Sequence, residues 1–326
     1  MTPYLFSVVI PTYNRANLVV AALDSVAAQS YRPIELIVSD DGSTDNTGDV
    51  LDAWCAAHQE DHDLRIKIVR GENGGAGAAR NRGVAIASGE YVQFLDSDDL
   101  LHPDRLRRLA EAFESQGADF IQTGFTRVEF DSGRLIETRY AREGADQVAL
   151  AAQGFLWANS VRSAFRRELI NRVGPWPEDM RCFEDRYFVE RAVLLAKAPI
   201  ALKDALVTVR RGAAGTVSSI EKTRVGRTCR IRCEEQLGEL LLARGDIESS
   251  ALEAFASRIY GLGIRTYASG WSDLACRCRV LAERVPCNLS RKGKGRRMVL
   301  RAGRFAAMLH GRLGKVKLAL ARGFKR

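Results

Sequence analysis

The chain opens by alternating two hydrophobic periods. Residues 6–10 form a continuous apolar run, the way strands covered on both faces read. Pro11 ends that run. Residues 17–28 then place Leu18, Ala21, Ala22 and Val26 at helical spacing. A second apolar run at 34–38 closes on Ser39-Asp40-Asp41-Gly42-Ser43, and Thr44 or Asp45 is placed to cap a helix reaching about residue 58. A third run, 65–69, leads into GENGGAGAARNRG and a helix to about residue 87; a fourth spans 91–95. Strand and helix thus alternate in units of roughly 25 to 30 residues, which predicts a doubly wound, mostly parallel sheet with helices on both faces. Farther on, the pattern predicts an amphipathic helix at 105–113, a strand at 120–128 and a hairpin turn at 130–134. Residues 220–283 read as helices broken near Gly245 and Gly270.

Charge separates the C-terminal end from the body. Residues 284–326 hold 14 of the 49 Lys and Arg and no acid, which leaves 35 bases against 40 acids in the rest. The net +9 therefore belongs to the tail, and the body is mildly acidic. From Met298 to Phe324 apolar residues recur at helical spacing, flanked by Arg297, Arg301, Arg304, Arg312 and Lys315. A basic amphipathic segment over 291–326 suits an anionic membrane surface, with packing on its own domain or on a partner as the rival reading. Nucleic-acid binding is disfavoured, because no aromatic interleaving or recognition motif accompanies the charge. The seven cysteines form no CxxC pair and no zinc spacing, so free thiols in a reducing compartment are expected. With no signal-type N-terminus and no long apolar run, the expected location is cytoplasmic, peripheral on the inner face of the membrane if the tail docks there.

Ligands of parallel sheets bind at the carboxyl ends of the strands. Here each of the first four apolar runs ends in reactive residues: Pro11-Thr12-Tyr13-Asn14, then Asp40-Asp41, then the glycine-rich run with Arg80, then Asp96 to Asp99. Asp96 and Asp98 are two residues apart, so a sharp turn at a strand tip can aim both at one hard cation such as Mg2+ or Mn2+. The plainer reading is a solvated turn that caps the helix after Pro103. Gly75-Ala76-Gly77-Ala78-Ala79-Arg80 resembles a dinucleotide fingerprint, but it follows the third strand and Arg80 stands where the last glycine belongs. A loop at a helix N-terminus, with Arg80 as a diphosphate clamp, suits the residues better.

SVVIPTYNR, ELIVSDDGSTDNT, GGAGAARNRG and GEYVQFLDSDDLLHPDRL, in this order and spacing, resemble the family 2 glycosyltransferases of the GT-A fold. The resemblance implies a nucleotide-sugar donor, most often a UDP-sugar. It places Pro11, Tyr13 and Asn14 along the nucleotide, with the Tyr13 ring on uracil and Asp41 accepting the uracil N3–H. Asp96 and Asp98 match the DxD pair, Asp98 as ligand of the divalent metal and Asp96 beside the ribose or the metal. The segments at 155–159 and 165–180 resemble the acceptor half, which makes Trp157 and Trp176 candidate stacking surfaces, core packing being the rival. Glu184-Asp185 match an acidic motif at a helix start. An inverting transfer needs one carboxylate to take the acceptor proton, and Asp185 is the choice, with Glu184 second. Gly212 stands where relatives often carry a histidine, and Arg210 or Arg211 is placed to serve the phosphates instead.

The expected organisation is a GT-A domain at 1–219, with nucleotide-sugar binding in 1–105 and the acceptor half in 106–219. A helical extension at 220–290 and the basic tail at 291–326 follow. The expected activity is transfer of a sugar to a hydroxyl on a glycan or lipid-linked acceptor, in cell-surface polysaccharide or glycoconjugate synthesis. Two rivals share the motifs in part: a nucleotidyltransferase on a similar sheet, and a non-catalytic, membrane-associated nucleotide-binding protein.

Overall fold

The computed structural model describes residues 4–156, 158–180, 182–212, 223–287 and 294. Its first half follows the hydrophobic alternation closely. Strands β1 (Phe6–Thr12), β2 (Ile34–Asp40), β3 (Leu64–Arg70) and β4 (Tyr91–Phe94) are linked by helices α1 (Val19–Ala27), α2 (Thr47–Ala57) and α3 (Ala76–Ile86). All three pairings among these strands, β3–β2, β2–β1 and β1–β4, are parallel, so their carboxyl ends lie at one edge. Short β5 (Leu100–Leu101) and helix α4 (Arg105–Ser115) follow, then the hairpin of β6 (Phe120–Glu129) and β7 (Leu135–Arg139). Helix α5 (Gln147–Gln153), β8 (Ser163–Arg166), α6 (Arg167–Val173), α7 (Glu184–Leu195) and β9 (Pro199–Arg211) complete this part.

The sheet has nine strands in the order β3-β2-β1-β4-β8-β6-β9-β5, with β7 on β6. Beyond β4 it is mixed. β8 runs antiparallel to both β4 and β6, whereas β9 runs parallel to β6. The expected parallel sheet with flanking helices is thus present, and β8 is a reversed strand between β4 and β6, so that β6 and β9 run in the same direction as β1–β4.

Two local expectations needed correction. Pro11 does not end β1, which continues to Thr12. β4 leaves β1 after Val9–Phe94, so beyond that point β1 pairs with β2 alone and a residue without an N–H is tolerated. Helix α2 starts at Thr47 with Asn46 before it, later than the Thr44 or Asp45 cap expected. The Asp45 carboxylate instead accepts from the Thr47 amide at 3.0 Å and from the Thr47 hydroxyl at 2.5 Å.

The described residues fall into two compact units, residues 1–147 with 158–217, and residues 148–157 with 218–326. The core of the first unit runs through Val8, Ile10, Leu36 and Val38 to Leu106, Leu109 and Phe113, all buried. The second unit contains α8 (Arg224–Ala243), α9 (Ser249–Ala268) and α10 (Ser272–Arg284). Its breaks fall near Gly245 and Gly270, as expected. Inside it, buried Glu234 is paired with Arg230 at 2.9 Å and Arg258 at 2.5 Å. Among the described residues no helix is long and apolar enough to cross a membrane.

Two buried polar groups hold the sheet from within. The Arg105 guanidinium is fully buried on neutral partners, with Nε and Nη2 donating to Gln93 Oε1 and Nη1 donating to Thr123 Oγ1 at 2.7 Å. Burial pushes this arginine down to about 9. On the other side, Glu35 of β2 is 1% exposed and joins three elements. It accepts from Ser7 of β1 at 2.6 Å, from Lys67 of β3 at 2.5 Å, and from the Ser88 amide and hydroxyl at 2.7 and 2.8 Å.

Burial alone would raise the Glu35 carboxyl, but the bonds from Lys67, Ser7 and Ser88 outweigh it and hold the group down at about 2. A depressed acid contributes stability above its unfolded value, and that stability is lost as pH falls toward the folded value. Glu35→Gln is therefore expected to lower the unfolding free energy at pH 7 by about 2 kcal/mol. The difference from wild type should shrink as pH falls from about 4.5 to about 2, which urea unfolding across that range measures.

Candidate active site at the carboxyl ends of the parallel strands

Close backbone approaches tie the tips of β1, β2 and β3 together. The Asp41 amide donates to the Thr12 carbonyl at 2.9 Å, and the Gly71 amide to the Asp40 carbonyl at 3.0 Å. Asn14, at φ +52°, receives the Thr44 amide on Oδ1 at 2.8 Å and donates its own amide to Ser43 Oγ at 2.9 Å. Asparagine tolerates this left-handed geometry better than most side chains. The result fastens the Tyr13–Asn14 turn to the β2–α2 loop and leaves the Tyr13 ring 42% exposed at the rim, with Pro11 buried beneath.

Asp41 is buried, and both its oxygens are engaged. Oδ1 takes the Gly74 amide at 3.1 Å and the Arg82 guanidinium at 2.5 Å; Oδ2 takes the Gly75 amide at 2.7 Å. The glycine-rich loop is therefore shaped by a carboxylate from the neighbouring strand. Gly75 sits at φ +89°, which a side chain would strain.

Asp96, Asp98 and Asp99 leave the tip of β4 with one oxygen each within 4.8 Å of the others. Asp99, which the sequence reading had not singled out, is the most buried of the three. Burial pushes the Asp98 carboxyl up, with Asp96 adding to the rise and Arg15 and Arg210 opposing it. Asp99 is pushed well up by burial, then by Asp96 and Asp98. Three converging carboxylate oxygens, with Asp98 and Asp99 pushed up in part by their acidic neighbours, suit a hard divalent cation, which relieves that repulsion. Arg210 of β9 fixes the loop from outside. Its amide donates to Asp99 Oδ1 at 3.0 Å, its Nε to the Asp98 carbonyl at 2.5 Å, and its Nη2 to the Leu18 carbonyl at 3.4 Å. Arg210 thus contacts the aspartate loop, where the sequence suggested a phosphate role. Gly212 follows at φ +104°.

Arg80 is the centre of the site. It is 3% exposed and ion-paired to Asp96 at 2.8 Å, Asp185 at 3.5 Å and Glu184 at 3.6 Å. Burial works against its charge, and Asp185, Asp96 and Glu184 together outweigh it. Arg80, expected from the sequence as a diphosphate clamp, is buried here and paired with carboxylates. Glu184 and Asp185 are the first residues of α7, where the helix dipole favours acids. Phe183 before them adopts φ +64°, an uncommon geometry for a bulky side chain and one that turns the chain sharply into α7. Burial pushes Asp185 up to about 7, with Arg80 pulling it down and Asp96 and Glu184 adding to the rise.

Trp176 is corrected outright. It is 2% exposed, stacked on Phe188 at 4.0 Å and 5°, edge-on to Phe94, and placed with the Arg80 guanidinium 4.6 Å from its ring centre. No ring face is open to an acceptor; the indole supports Arg80. Trp157, the other stacking candidate, lies outside the described residues. So does the tail at 291–326, save Lys294.

The family model for glycosyl transferase family 2 matches residues 7–174. The chain belongs to glycosyl transferase family 2. Among curated relatives of this family, glycosyltransferase GlyG of Streptococcus pneumoniae is 32% identical over 222 residues, 64% of this chain and 71% of GlyG. The poly(ribitol-phosphate) beta-N-acetylglucosaminyltransferase TarS of Staphylococcus aureus is 28% identical over 202 residues, 61% of this chain and 34% of TarS. In fold, the chain is similar to S. aureus TarS 1-349 in complex with UDP-GlcNAc, with TM-score 0.70 at 19% identity, covering 93% of this chain and 91% of that one. It is also similar to the mannosyltransferase PcManGT of Pyrobaculum calidifontis in complex with GDP-Man and Mn2+, with TM-score 0.53 at 21% identity, covering 94% and 81%. The GT-A-like fold read from the sequence is the fold observed.

Removing the guanidinium leaves three carboxylates facing one another in a poorly solvated site. Arg80→Met is expected to lower the unfolding free energy by about 3 kcal/mol. Urea denaturation measures this, and a loss below about 1 kcal/mol would show that the carboxylates do not depend on Arg80.

Proposed function

We propose that this family 2 glycosyltransferase is an inverting enzyme. It moves a sugar from a UDP-sugar to a hydroxyl of a glycan or lipid-linked acceptor. The observation that carries the reading is Arg80, which brings the Asp96 end of the aspartate loop and the Glu184-Asp185 pair to one buried point. The sequence similarity to TarS, named as an N-acetylglucosaminyltransferase, supports a UDP-sugar as the first donor to test.

In this reading the exposed Tyr13 ring packs on uracil, beside Pro11 and Asn14. Asp41 keeps acceptor capacity for the uracil N3–H, because a carboxylate has about four lone-pair sites and three are engaged. Asp98, with Asp96 and Asp99, would hold a divalent ion, Mn2+ or Mg2+. That ion, when bound, supplies charge neutralisation for the leaving diphosphate. Asp185 accepts the proton of the acceptor hydroxyl while that oxygen bonds to the anomeric carbon, and the bond from that carbon to the diphosphate oxygen breaks. An acid pushed up to about 7 is suited to take a proton near neutral pH. Arg80 holds it in place. A base at Asp185 favours transfer over the non-catalytic, nucleotide-binding reading, which has no use for one.

Titration with UDP, with and without Mn2+, tests the donor site. Wild type is expected to bind UDP only with the metal, and Asp98→Asn to lose that dependence together with the affinity. UDP release from UDP-GlcNAc tests the base. Asp185→Asn should keep UDP affinity and lower turnover by about 10²- to 10⁴-fold. Equal UDP binding in the presence of a chelator would remove the metal assignment; wild-type turnover by Asp185→Asn would remove the base.

A further inference from the structure

Asn81 lies one residue after Arg80 on α3 and makes a two-way bond to a distant backbone. Its Nδ2 donates to the Trp176 carbonyl at 3.0 Å, and its Oδ1 accepts the Trp176 amide at 2.8 Å. Nδ2 also donates to the Glu178 carboxylate at 2.7 Å. On the same helix, Gly77 meets the next residue of that segment. A Cβ there would fall 2.5 Å from the Pro177 carbonyl oxygen. Residues 176–178 are therefore docked on α3 by three polar bonds and one backbone contact that only glycine permits.

That segment bears on the acids of α7 in two ways. It leads through Phe183 into Glu184 and Asp185. It also carries Trp176, whose ring lies against Arg80 and stacks on Phe188, four residues after Glu184 on α7. The donor side has fastenings of its own. Asp41 holds Gly74, Gly75 and Arg82, and a Cβ on Gly83 would fall 2.4 Å from a methyl of Val9 on β1. Loss of the Asn81 bonds thus frees the segment leading to Asp185 and leaves the nucleotide end of α3 in place.

We infer that Asn81 is a positioning residue that sets the placement of Asp185 against the donor site through the Trp176 backbone. This inference rests on the transferase reading above. The asparagine works because its amide carries both kinds of group: one N–H and the oxygen satisfy the two backbone groups of Trp176, and Nδ2 also reaches Glu178. A displacement of about 1 Å at a reacting group is enough to cost on the order of 10²-fold in rate.

The test compares full-length wild type with Asn81→Leu, Asn81→Asp and Asn81→Gln. Mn2+-dependent UDP affinity, UDP release from UDP-GlcNAc and thermal unfolding are measured on each. Asn81→Asp keeps size and the acceptor but sets a carboxylate against the Trp176 carbonyl and Glu178, so it serves if Asn81→Leu does not fold. Asn81→Leu and Asn81→Asp are expected to lower kcat by about 100-fold with UDP affinity within about twofold of wild type, and Asn81→Gln, which keeps the amide on a longer arm, to recover part of the rate. Unchanged kcat in Asn81→Asp, or kcat and UDP affinity falling together, overturns the inference. Wild type that neither binds UDP nor releases it from the donor overturns the transferase reading and the inference with it.

Discussion

A buried guanidinium surrounded by carboxylates is the constraint on which this site depends. Arg80 is almost wholly removed from water, and three acids from two distant stretches of chain neutralise it. Burying such a group without partners would be prohibitive, and burying the acids without Arg80 would be nearly as costly. Each side therefore requires the other. The aspartate loop at the tip of β4 and the start of α7 are held together by electrostatics as well as by aromatic contact. The aromatic stack of Trp176, Phe188 and Phe94 supplies the dry surroundings in which that attraction is strong.

Much of the parallel half was legible in the sequence because its signals are local. Continuous apolar runs mark strands covered on both faces, and a polar tip after each run marks the binding edge. Those two facts place Asp41, Asp96 and Asp98 just beyond the ends of β2 and β4, and Arg80 on the helix that follows β3. The mixed half was less readable. β8 is a four-residue strand, and nothing in its composition announces that it runs against both neighbours.

The partners of buried polar groups were not legible. Arg105 opens the amphipathic helix expected at 105–113, and its period does not reveal that this side chain is fully buried on Gln93 and Thr123. Arg80 reads as a phosphate ligand because it follows a glycine-rich loop, and two of the three acids that claim it lie about a hundred residues later. Trp176 reads as a platform because tryptophans near sugar sites often are, but Phe188 and Arg80 cover it. In each case the missing information was a contact between distant residues, which periodicity does not encode. Asp99 could have been found, since it follows Asp98 directly; its amide hydrogen bond to the Asp96 carbonyl makes the turn that brings it into the cluster.

The family model stops at residue 174, ten residues before Glu184. A fragment cut at that boundary would retain all four opening motifs and the aspartate cluster. It would lack Trp176, Glu184, Asp185 and Phe188, leaving Arg80 with one acid in place of three and without its aromatic support. The smallest excisable unit that satisfies the arginine is therefore longer than the span by which the family is recognised. A minimal domain has to be drawn by the charge it must balance, and here that balance is complete only once α7 is included.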